Sequence, residues 1–155
     1  MKPGEALQRF ELNGRVVILT GGAGLLGRSH AQTLASAGAN VVLADIDGEG
    51  AVRIAEDIRS TVSADCLPVT TDVSDPESVR VMVKATQERY GRIDILVNNA
   101  ALDPKFDPEH AGAHGQRFED FPFDAWQQAM AVNVTGMFLC AQAVAPTMTS
   151  AGRGV

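Results

Sequence analysis

Short runs of continuous apolar residues alternate with longer stretches of helical period along most of this chain. The first run, Arg15–Thr20, is β-branched and closed by glycines, and it reads as a buried strand. Behind it Gly27, Ala31, Leu34, Ala35 and Gly38 fall at i, i+4, i+7, i+8 and i+11. That spacing predicts a helix with one small-residue face, stopped by Gly38. Asn40–Asp45 is a second strand, 49–60 a second and more polar helix, and Cys66–Thr70 a third strand. Pro68 cannot donate to a ladder, which places the third strand at an edge. Ser74-Asp75-Pro76-Glu77 is a helix start in which Ser74 and Glu77 form a capping box. The apolar face of that helix is Val79, Met82, Val83, Thr86 and Tyr90, and Gly91 ends it. Ile93–Val97 is a fourth strand.

Strands without polar alternation are covered on both faces, which means a parallel sheet between helices. Right-handed crossovers then favour the spatial order 3-2-1-4, the first part of a Rossmann-type doubly wound sheet. The fold class expected is therefore α/β, one domain over residues 1–155 with its later strands missing. Residues 1–14 are a polar lead-in ending in a turn at Asn13-Gly14. Residues 99–121 break the rhythm and form a loop long enough to suggest function. A last helix is expected from about Phe123 to Thr149, with Trp126, Met130, Met137 and Ala141 on one side and Pro146 bending or ending it.

Composition narrows the function classes. The net charge is −6 and no Lys/Arg cluster occurs, which argues against nucleic acid and anionic membrane surfaces as partners. No apolar run is expected to reach the roughly 20 residues that span a bilayer. The first residues lack the apolar core of a signal peptide. Cys66 and Cys140 form no C-x-x-C pair and read as small core residues. A cytoplasmic protein is the resulting expectation.

The strongest chemical signal is Thr20-Gly21-Gly22-Ala23-Gly24-Leu25-Leu26-Gly27. Gly22, Gly24 and Gly27 satisfy G-x-G-x-x-G between a strand and a helix, the context that the motif requires. Glycines let backbone approach a pyrophosphate, and the helix N-terminus offers free N–H donors and a favourable dipole. Asp45 ends the second strand 18 residues after Gly27. A carboxylate there accepts both ribose hydroxyls of NAD and repels the extra phosphate of NADP. NAD is the expected cofactor, with Ile46 beside Asp45 in the site.

These residues, with three further motifs, resemble the short-chain dehydrogenase/reductase family over essentially the whole chain. Asp72-Val73 is similar to the family's adenine-contacting Asp and its neighbour. Asn98-Asn99-Ala100-Ala101 resembles its Asn-Asn-Ala-Gly signature, and Val132-Asn133-Val134-Thr135-Gly136 the helix carrying its relay Asn. The resemblance implies that Asp72 bonds the adenine amino group and that Val73 contributes a backbone contact. It implies that Asn98 ties the sheet together, that Asn99, Ala100 and Ala101 line the cofactor cleft, and that Asn133 holds a water in a proton relay. It also implies that the last helix packs in a subunit interface.

Four departures matter. Leu25 stands where simple dehydrogenases of the family carry glycine, giving the Thr-Gly-x-x-Gly-x-x-Gly spacing of its extended, nucleotide-sugar epimerase and dehydratase branch. Ala101 replaces a glycine, and the loop Leu102–Asp120 is long. The family's Ser and Tyr-x-x-x-Lys are absent: the one tyrosine, Tyr90, is followed four residues later by Asp94, and Lys2, Lys84 and Lys105 fit no such pair. Gly152-Arg153-Gly154-Val155 resembles the approach to the family's fifth strand.

The chain is thus expected to be the cofactor-binding half of an NAD-dependent alcohol or ketone oxidoreductase, inactive alone. The alternatives are a non-catalytic nucleotide-binding or interaction module and a fragment of an epimerase or dehydratase. Without a fifth strand, Ile93–Val97 would be a bare apolar edge that recruits a partner or a second copy. His110 and His114 read as loop histidines and not as a metal pair. Asp103, Asp107, Glu109, Glu119 and Asp120 read as loop-solvating charges, and no metal is expected.

Overall fold

A computed structural model describes residues 10–62, 64–103 and 117–155. Lys2, Lys105, Asp107, Glu109, His110 and His114 lie outside the described residues. Four strands, β1 (Val16–Thr20), β2 (Asn40–Asp45), β3 (Cys66–Thr70) and β4 (Ile95–Val97), form a parallel sheet in the order β3-β2-β1-β4. Pro68 sits on the edge strand β3, opposite Leu43.

The continuous apolar strands follow from helices on both faces. Val17, Leu19, Val41 and Leu43 point to one side, against Ala31 and Ala35 of α1 (Leu25–Ser36) and Ala51, Ala55 and Ile58 of α2 (Gly48–Val62). Val16, Ile18, Val42 and Ala44 point to the other, against Val79, Met82 and Val83 of α3 (Pro76–Tyr90). Alternate side chains leave a strand on opposite faces, so each strand feeds both cores.

The start of α3 departs from the expected capping box. Asp75 is the cap, its carboxylate accepting from the Glu77 and Ser78 N–H groups, and Pro76 occupies the first turn. Proline lacks the N–H that would be unbonded there anyway. Ser74 instead bonds Asp72, its N–H at 2.8 Å and its hydroxyl at 2.6 Å.

The fourth strand is shorter than expected, and Asp94, just before it, is tied to β1 through its side chain as well as its backbone. Asp94 is buried and accepts from the Val16 N–H at 2.9 Å and from Arg92 Nε at 2.7 Å. Arg15 and Arg153 stand 3.3 and 3.6 Å from the same carboxylate. Nor is the outer edge of β4 bare. Val155 donates to Asp94 O and accepts from Leu96 N–H at 2.8 Å, the bond pair of a parallel bridge.

The last helical run has three parts: α4 (Phe123–Met130), a π-helical turn at Ala131–Gly136, and α5 (Met137–Ser150). Its packed side differs from the apolar face expected. Ala125, Gly136, Cys140 and Val144 are buried, while Trp126, Met137 and Ala141 are exposed. Small residues win because the helix runs close to its neighbours. A β-carbon on Gly136 would stand 2.8 Å from Val73 Cγ2. Pro146 neither ends the helix nor stands in the core; it is exposed. The run 123–150 is also long and apolar enough, by length and composition alone, to cross a membrane, which corrects the sequence expectation.

Candidate cofactor-binding site

A cleft of about 790 Å³ opens where the carboxyl ends of the strands meet the helix starts. One wall is the glycine loop between β1 and α1. Gly21, Gly24, Leu25, Leu26 and Gly27 all line it. Gly21 adopts φ +66°, and a β-carbon on it would stand 2.8 Å from Ala100 Cα. Gly24 is the N-cap of α1 and supplies no side-chain cap, which leaves first-turn N–H groups facing the cleft. Space beyond Gly24 is open: a β-carbon there would meet nothing nearer than the Gly21 carbonyl, at 3.4 Å.

Gly22, expected as a cofactor contact, is not among the residues that line the cleft. A β-carbon on it would press on Leu43, 2.9 Å from Cδ2, so its smallness serves packing against β2. Gly27 is also needed for packing. A β-carbon there would overlap the Gly21 carbonyl oxygen and stand 2.9 Å from Gly22 Cα.

Asp45, at the end of β2, is a strut as well as a wall. One carboxylate oxygen accepts from the Ala23 N–H at 2.8 Å and the other from the Asp47 N–H at 2.9 Å. The glycine loop is thereby tied to β2, and the side chain is fixed toward the cleft. Ile46, beside it, is exposed and offers a flat apolar surface. Across the opening Asp72 and Val73 line the wall after β3. Asp72 Oδ1 takes both bonds from Ser74, and Oδ2 has no bond among the described residues.

The floor comes from Asn99, Ala100 and Ala101, after β4. Asn99, not Asn98, ties the strand ends together. Its Nδ2 donates to the carbonyls of Thr20 at 2.9 Å and Gly21 at 3.0 Å. The buried Thr20 hydroxyl accepts from the Asn99 and Ala100 N–H groups at 3.0 and 3.1 Å. Asn133 lies behind this floor and not on it. Its Oδ1 accepts from Leu102 N–H at 2.7 Å and its Nδ2 donates to Leu102 O at 2.9 Å. The amide is a clamp on the Leu102 backbone.

Sequence reasoning missed Asp47, Thr71, Ser74 and Leu102, and also Gln128, Ala131 and Val132 from the last helix. Asp47 had a signal, a second carboxylate two residues after Asp45. Val132 had one in the motif it shares with Asn133, whereas Gln128 and Ala131 had none.

Other ionisable groups are ill placed for chemistry. Burial pushes the Tyr90 phenol up to about 12. Burial likewise pushes both thiols, Cys66 and Cys140, up to about 11. Among the described residues no group of three His, Cys, Asp or Glu is arranged to hold a metal ion.

A family model described as short chain dehydrogenase matches residues 15–155. A short chain dehydrogenase/reductase of Aspergillus oryzae is 38% identical over 95% of this chain and 53% of its own length. A short-chain type dehydrogenase/reductase from Mycobacterium marinum superimposes with a TM-score of 0.81 at 33% identity, over 92% of this chain and 53% of that one. NAD+-bound xylitol dehydrogenase superimposes with a TM-score of 0.80 at 29% identity, over 92% and 51%. The chain spans about half the length of the relatives it matches.

Proposed function

From the premise that this chain belongs to the short chain dehydrogenase family, we propose that residues 1–155 are the cofactor-binding domain of an NAD-dependent alcohol or ketone oxidoreductase. One observation carries the reading: the glycine loop, Asp45, Asp72 and the Asn99–Ala101 floor, distant in sequence, line a single cleft. The residues fit a dinucleotide. The uncapped start of α1 and the open space beyond Gly24 suit a pyrophosphate. Asp45, held by two backbone N–H groups, keeps its remaining lone pairs for ribose hydroxyls. Ile46 and Val73 would cover the adenine, with Asp72 Oδ2 accepting from its amino group.

When bound, the dinucleotide supplies the hydride-carrying nicotinamide; the protein supplies position and electrostatics. Ala100 and Ala101 keep the floor low, and Thr20 and Asn99 fix its height. The relay role of Asn133 would pass through its main chain, because both atoms of its amide are engaged by Leu102. Proton transfer to or from substrate needs the Ser and Tyr-x-x-x-Lys that these residues do not contain, so the chain alone is expected not to turn over. The relatives named above are dehydrogenases and reductases, which favours this reading over an epimerase or dehydratase.

The exposed apolar side chains of the last helix, Phe123, Trp126, Met137 and Phe138, support association with a second copy or a completing chain. No nucleic acid, membrane or metal enters the proposal, and the expected location is cytoplasmic.

Calorimetry with NAD and NADP, with Asp45→Ala as control, tests the reading. Binding of NAD over NADP that the substitution abolishes is the expected result. A folded chain that binds neither refutes it.

A further inference from the structure

The wall around Asp45 holds a second acid, and the fold brings a cation to it. Asp47 lines the same side of the cleft. Its Oδ1 accepts from the Gly50 N–H at 2.9 Å, which fixes the side chain at the start of α2. Its Oδ2 stands 3.6 Å from Arg53 Nη2. Arg53 also meets Glu49, 3.8 Å from Nη1. Among the described residues no lysine or arginine lines the cleft, and Arg53 reaches it through its pair with the wall residue Asp47. The Arg53–Asp47 pair is exposed and adds little stability. Its consequence is positional: Asp47 draws the guanidinium into a pair at this wall, where it would otherwise be shared only with Glu49.

We propose that Asp47 is a second specificity-determining residue, disfavouring a 2′-phosphorylated dinucleotide both by its own charge and by holding Arg53. The inference rests on the dinucleotide reading of the cleft. Asp45 acts on the ribose hydroxyls directly. Asp47 acts on the space beyond them, where the added phosphate would carry close to two negative charges.

Asp47→Asn tests this with little change of shape, because asparagine is as good a cap as aspartate. The quantity to measure is the NADP-to-NAD affinity ratio, by calorimetry at low ionic strength on the 155-residue chain. The ratio is expected to rise about tenfold, the effect of one charge on a doubly charged phosphate ~6 Å away at the dielectric of water. Adding Arg53→Gln is expected to remove the part of the gain that the released guanidinium supplies and to leave the part due to the lost Asp47 charge. A residue that served only as a helix cap would move both affinities together and leave the ratio unchanged. Asp47→Ser repeats the measurement with a different cap if the asparagine variant folds poorly by circular dichroism. An unchanged ratio in folded Asp47 variants overturns the proposal, and so does a gain that Arg53→Gln leaves wholly undiminished. If the parent chain binds neither dinucleotide, the cofactor reading itself falls and takes this inference with it.

Discussion

Replacing Gly27 by alanine sets two effects of opposite sign against each other. Gly27 lies within α1, where alanine is worth up to about 1 kcal/mol over glycine by helix propensity alone. The local geometry opposes it. The added methyl would overlap the Gly21 carbonyl oxygen, and backbone atoms of Gly21 and Gly22 stand 2.9 Å away, so the loop must shift. That carbonyl accepts from Asn99 Nδ2 at 3.0 Å and from the Gly24 N–H at 3.3 Å. Losing both bonds costs about 2 kcal/mol at roughly 1 kcal/mol each. Off-optimum packing adds about 1 kcal/mol more. The net expectation is a loss of about 2 kcal/mol, seen as a fall in Tm of roughly 6 °C. Urea unfolding followed by circular dichroism gives the sign directly. Dinucleotide binding is expected to vanish in the same variant, because the loop lines the cleft. A Gly27→Ala chain with raised stability and intact binding would show that propensity governs here and that the close approach is not a constraint.

Asn133→Ala removes both bonds to Leu102 and is expected to cost about 2 kcal/mol in urea unfolding, with faster hydrogen exchange at the Leu102 N–H. Burial opposes ionisation of Asp94, but bonds from Arg92, the Val16 N–H and Arg15 outweigh it and hold the carboxyl below the usual range. Its stabilisation is therefore complete above about pH 4 and lost as pH falls through the depressed native value, so Asp94→Asn should flatten the acid limb of stability against pH. The two buried thiols shift the opposite way. With native values near 11, their contribution is intact below about pH 9 and lost as pH rises toward 11. Both should resist alkylation at pH 8 in the native chain and react in urea; rapid native labelling would contradict the packing described.

The sheet was legible in sequence because its strands are buried on both faces. Arg15–Thr20 and Asn40–Asp45 carry no polar interruption, and the helices between them carry small residues at helical spacing. The cleft was legible because glycine loops and strand-end carboxylates are local features. What stayed hidden depends on distance through the fold. Asp75 displaced Ser74 as cap because Ser74 is drawn to Asp72. Gly22 matched a motif yet serves Leu43. Trp126 and Met137 looked like core, yet the side that packs is the one with Ala125, Gly136 and Cys140, since only small residues let the helix reach Val73. The π turn at Ala131–Gly136 leaves no trace in hydrophobic periodicity. Arg53 joins Asp47 only once α2 is wound.

The position of β1 at the middle of the sheet has a consequence for synthesis. Its neighbours are β2 on one side and β4 on the other, and its first N–H is bonded by Asp94, 78 residues later. At roughly 5–20 residues per second, a ribosome needs about 4–16 s to supply that partner. During that interval Val16–Leu19, destined for complete burial, has one open flank. Non-local pairing of this kind slows folding, and an unpaired apolar strand is what chaperones capture. Nascent-chain yield of this protein should therefore respond to translation rate across residues 46–94 more than to rate changes after Val97.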